Sequence, residues 1–103
     1  MDNILENVTK EEVLAMIDNF PIKPMSTKII ATINSEVSLK SQENEMEDVQ
    51  YVVAVGDEVK EVSPGDSVIL DITRIPNACQ IVKVGDFTFQ FLTEFQINAI
   101  DNR

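Results

Sequence analysis

The stretch Tyr51–Asp71, YVVAVGDEVKEVSPGDSVILD, limits what this chain can fold into more than any other. It reads as an apolar strand over Tyr51–Val55, a glycine stop at Gly56, a short acidic link, a tight turn, and a second strand over Val68–Ile72. Both runs are rich in β-branched residues, which suit a buried pleated surface. Ser63-Pro64-Gly65-Asp66 gives the turn its mechanism. Proline pre-sets φ at the first central position, and glycine accepts the positive φ that a type II turn needs at the second. The rest of the chain reads as strands and one helix laid against this unit.

The helix comes first. Thr9 followed by Glu12 fits a capping box, with Val8 and Val13 at the staple positions around it. Val13, Met16, Ile17 and Phe20 then recur at helical spacing. Phe20-Pro21 ends the helix, because a residue before proline is pushed away from the α region. Two readings stand for this apolar stripe. It packs on the chain's own β-domain, or residues 1–21 form an arm that docks on a neighbouring subunit through Val13, Ile17 and Phe20.

Residues 22–103 read as a small β-barrel or sandwich. Ser26–Asn34 is its first strand, with Thr27, Ile29, Ala31 and Ile33 on one face and Lys28, Ile30 and Thr32 on the other. Ser35–Asp48 is the most polar stretch, with five acids against the single Lys40. Lacking a sustained period, Ser38–Glu47 reads as a solvated acidic loop whose large apolar residues are Leu39 and Met46. Beyond the core pair, Pro76-Asn77 marks a bend within Thr73–Ala78. Cys79–Val84 and Phe87–Leu92 flank Gly85-Asp86, the pattern of a type II′ hairpin. Phe87, Phe89 and Phe91 share one face of that hairpin as core. Thr93 with Gln96 repeats the capping pattern around one helical turn, and Ile97–Ile100 closes the chain as a short strand. Short strands punctuated by turns give a mainly β fold with an N-terminal helical extension.

At 103 residues the chain is one domain of ordinary size. Eighteen acidic against eight basic residues give a net charge of −10, which repels a phosphate backbone and anionic lipid alike. We therefore expect neither nucleic acid nor membrane as a partner. No apolar run approaches the ~20 residues a bilayer span needs. MDNILENVTKEE has no cationic region leading into an apolar one, so the expectation is cytoplasmic synthesis without a secretion signal.

Nothing in the pattern supports catalysis. There is no histidine, which removes the usual general base and the commonest zinc ligand. Cys79 is the only cysteine and reads as a small buried hydrophobe. Gly56, Gly65 and Gly85 are isolated, so no phosphate-cradling loop is present. Glu43, Glu45, Glu47 and Asp48 alternate, yet lack the glycine and final glutamate of a calcium loop. The expectation is a non-enzyme with no catalytic residue, cofactor or metal.

In the core stretch the chain resembles the GroES-type co-chaperonins. Those proteins carry an "EVLAVG" strand, a "V-x-x-GD-x-V-I-F" segment, a hairpin, and an ending like "S-E-x-D-I-L-A-I". The counterparts are Tyr51–Gly56 (YVVAVG), Val62–Leu70 (VSPGDSVIL), the hairpin Ile81–Leu92, and Thr93–Ile100 (TEFQINAI). Pro24–Thr32 (PMSTKIIAT) stands where the family has "P-L-x-D-R-V-I-V". The likeness covers about residues 22–100 in order. It implies a GroES-like barrel, and Ile97, Ala99 and Ile100 as a strand shared between subunits. The chain departs from the family in three places. The loop after the first strand is shorter, has no glycine, and offers only Leu39 and Met46 in an acidic field. The roof hairpin is reduced to Asp57–Glu61, as in phage-encoded co-chaperonins, and the capped helix over Thr9–Asn19 is an addition.

Three functional readings follow. The first is a structural or assembly protein with a GroES-like fold, a capsid-associated auxiliary protein of a bacteriophage virion, working as a homo-oligomer or within a larger assembly. The second is a divergent co-chaperonin that caps a chaperonin ring through Leu39 and Met46. The third is a free-standing β-barrel binding module.

Overall fold

The computed structural model describes residues 8–33, 38–40, 45–71, 73–74 and 80–102. The fold is mainly β, an antiparallel sheet with one short helix. The helix, α1, spans Lys10–Met16 and tightens into a 3-10 turn over Ile17–Asn19. Seven strands follow: β1 Lys28–Thr32, β2 Ser38–Lys40, β3 Glu45–Val55, β4 Ser67–Leu70, β5 Ile81–Val84, β6 Phe87–Thr93 and β7 Ile97–Ile100.

Local chemistry sets the element boundaries. The Thr9 hydroxyl accepts the Glu12 N–H at 3.2 Å, and the Glu12 carboxylate accepts the Thr9 N–H at 2.9 Å, so the capping box is complete. The Ser63–Asp66 turn closes with Asp66 N–H donating to the Ser63 carbonyl at 3.1 Å, and Gly65 takes φ +96° as a type II turn requires. Gly85 takes φ +61°, and the only non-glycine residue with positive φ among those described is Ser26, so the β5–β6 link has the type II′ pattern. Thr93 and Gln96 cap a second 3-10 turn, Glu94–Gln96.

The strands follow the order β5-β6-β1-β3-β4-β7, with β2 paired to β3 beside this path. β3 is the hub. Its end pairs with β1 (Ile29 opposite Val55), its middle with β4 (Tyr51 opposite Ser67), and its start with β2 (Lys40 opposite Glu45). The expected solvated loop is therefore corrected at Ser38–Lys40 and Glu45–Glu47, which are paired strand; residues 41–44 lie outside those described. Pairing is favoured there because the segments alternate in residue type and put a lysine and a glutamate at opposed register positions. The Pro76-Asn77 bend, Cys79 and Ile72 also lie outside the described residues.

The expected closed barrel is corrected as well. β5 and β7 end the sheet, and neither pairs with a second strand among the described residues. Other elements bury the faces that closure would cover. One face carries Ile29, Ala31, Val52, Val68, Leu70 and Leu92, with Val59 and Val62 of the 56–66 link packed on it. The opposite face carries Ile30, Val53 and Phe89 beneath Val8 and Val13 of the helical segment. β1 is thus buried on both sides, not only on its Ile29/Ala31 face. Phe20 meets Phe89 edge-on, with centroids 5.2 Å apart and planes at 88°.

A polar network runs through this apolar interior. The Thr32 hydroxyl donates to Gln50 Oε1 at 2.7 Å and accepts the Tyr51 N–H at 3.0 Å. Gln50 Nε2 donates to Asp48 at 2.7 Å, and Gln90 Nε2 donates to the Thr32 carbonyl at 2.9 Å. Thr32, Gln50 and Gln90 are all buried.

Candidate functional site

The sequence points to three places, and the fold keeps them apart. In the helical segment, Val13 is wholly enclosed by its own chain, and Ile17 and Phe20 are half-buried against the same cluster. The exposed large apolar residue of α1 is Leu14, 54% accessible. Leu39 and Met46 form a directly opposed register pair between β2 and β3. Ile97, Ala99 and Ile100 lie on β7, at an end of the sheet.

β7 carries the most developed surface feature. One of its sides pairs with β4 (Ile69 opposite Ala99, Val68 opposite Ile100), and the Asp101 N–H extends that ladder to the Ser67 carbonyl at 2.7 Å. Ile97 and Ile100 pack half-buried on the chain's own core, while Asn98 and Ala99 are exposed. A cleft of about 500 Å³ runs along the strand, walled by Lys60–Val62 and by Glu94 and Phe95.

The walls are held by specific bonds. Glu94 Oε2 accepts the N–H groups of Lys60 and Glu61 at 3.1 and 2.9 Å, fixing the link against the 3-10 turn. Phe95 is 70% exposed, and the Arg74 guanidinium lies over its ring, 4.1 Å from the centroid. Arg74 is itself tied to Asp71 at 2.9 Å, and its carbonyl accepts from Gln96 Nε2 at 3.2 Å. The Thr73 hydroxyl donates to Asp71 Oδ1 at 2.6 Å and holds its carboxyl below the ordinary range, helped by the Thr73 N–H and the Arg74 charge.

The surface has a strand edge that no other strand pairs with among the described residues, an exposed aromatic ring stacked by a cation, and charges of both signs on the walls. Among the described residues, no three His, Cys, Asp or Glu side chains stand close enough to hold a metal ion.

Sequence reasoning found β7 but missed Phe95, Arg74 and the Thr32–Gln50–Gln90 network. The available signal for Phe95 was an aromatic residue inside a three-residue capped turn, too short to bury it. For the buried polar residues there was no signal, since polar positions on strands ordinarily face water. No family model matches the chain, and no curated protein matches it in sequence.

Proposed function

We propose that this chain is a non-enzymatic structural or assembly protein with a GroES-like arrangement of strands, acting through protein–protein contacts as a capsid-associated auxiliary protein. The observation that carries the reading is the β7 edge. It is an uncharged strand at the end of a sheet, beside a cleft and an exposed Phe95, which is how sheets accept a strand from a neighbour. The GroES-like assignment rests on the order of the motifs. YVVAVG lies on β3, VSPGDSVIL spans the turn and β4, and TEFQINAI covers the last 3-10 turn and β7.

A second reading, a divergent co-chaperonin, draws on the β2–β3 register, which sets Leu39 opposite Met46 on a paired segment. One experiment separates the two. The purified chain is mixed with a chaperonin ring, with and without ATP, and its own mass is followed on dilution. Self-assembly without ring binding supports the assembly protein. ATP-dependent binding lost in Leu39→Ala/Met46→Ala supports the co-chaperonin. A constant monomer that ignores the ring overturns both.

A further inference from the structure

A second cleft of about 510 Å³ lies between the 22–28 segment and the end of β6, and shares no lining residue with the β7 cleft. Its apolar lining includes Ile22, Met25, Phe91 and Leu92, and its charged lining is Lys23 and Lys28. Among the described residues no acidic side chain lines it, although the chain as a whole carries −10. Met25 is 74% exposed at its mouth. Lys28 makes no ion pair among the described residues. Lys23 is bonded to Asp57 at 2.9 Å, but both side chains are largely in water (65% and 83% exposed), where such a pair is weak and exchangeable.

A cavity of this size with an apolar body and a few charged groups has the make-up of a ligand site. We propose that it binds an extended acidic peptide segment of a protein partner, with an apolar residue seated on Met25 and Phe91 and its carboxylates directed to Lys28 and Lys23. Charge complementarity selects this occupant. The cleft's charged lining is two lysines, and the carboxylate beside it, Asp57, is held only through an exposed pair with Lys23, so an acidic segment is the complementary partner. Pro21 and Pro24 have no N–H to donate, and the Met25 carbonyl is already used by the Lys28 N–H at 2.9 Å, so recognition rests on the side chains of the cleft. The inference does not depend on the β7 reading, since it uses different residues.

The test pans a displayed random-heptapeptide library against the intact protein and against Lys23→Glu/Lys28→Glu. Lys28→Gln serves as a milder variant, and melting temperatures confirm that all are folded. The expected result is enrichment of sequences that combine Asp or Glu with an apolar residue. Their affinity should fall by roughly tenfold or more in the double variant and weaken with added salt. Enriched peptides without acids, or binding unchanged by either variant, overturn the proposal. So does the absence of any enriched peptide, and so does a charge variant that changes only the oligomeric state, because the cleft would then be a contact between copies.

Discussion

Thr32 and Gln50 meet inside the sheet, the hydroxyl of one donating to the amide oxygen of the other across 2.7 Å with both side chains buried. The same hydroxyl accepts the Tyr51 N–H, so it serves both strands at once. Thr32→Val keeps the shape and deletes both bonds, stranding polar groups of β3 in a dry interior. A loss of about 1–3 kcal/mol in urea unfolding is expected. A change within a few tenths would mean that the network contributes nothing.

Gly56 is packed against the backbone at Ser26. A Cβ at position 56 would stand 2.2 Å from the Ser26 carbonyl oxygen, which is also held by the Glu58 N–H at 3.0 Å. Gly56→Ala should therefore cost more than about 2 kcal/mol, because backbone rather than a mobile side chain must yield.

Ser26 is strained on the same contact, with φ +54°. Ser26→Gly relieves a left-handed conformation that costs a side-chain-bearing residue roughly 1–2 kcal/mol. It should raise the melting temperature, with part of the gain lost to the added freedom of the unfolded chain. A lower melting temperature would show that the hydroxyl has a role of its own.

Asp71 makes acid stability readable. Its folded pKa is depressed below the ordinary 3.8, mainly by the Thr73 hydroxyl. Its contribution is therefore complete above that value and disappears as pH falls through the lower, folded value. Asp71→Asn should flatten the stability profile in that acid window and leave its shape near neutral pH unchanged. The carboxylate also anchors Arg74 over Phe95, so the variant should loosen the ring as seen by its NMR line shapes.

Phe95 and Ala99 test the β7 surface without touching the core, since both are exposed. Phe95→Ala and Ala99→Glu should leave the melting temperature within about a degree and abolish assembly in light scattering. Val13→Ala is the counterpart. It opens a cavity under α1 and should cost about 2 kcal/mol, whatever the state of assembly.

What could be read from the sequence was what short-range chemistry decides. The Thr9–Glu12 cap, the Gly65 and Gly85 turns and the Thr93–Gln96 cap each need only three or four neighbouring residues, and each is present. The β2–β3 pairing was hidden because acids at Glu45 and Glu47 made an alternating strand look like a solvated loop. Closure could not be read at all. Whether β5 meets β7 depends on what else covers the sheet, and here the 56–66 link and α1 do so. The β7 strand was legible, but its place at an edge and the exposure of Phe95 beside it are properties of the whole arrangement.

The two ends of the sheet are unlike. β5 carries Lys83, exposed and mid-strand, whereas Ile97-Asn98-Ala99-Ile100 has no charge along its length. A charge on an edge strand disfavours pairing with a further strand, so on the proposed reading of β7 a neighbour's strand would be received at one margin and discouraged at the other.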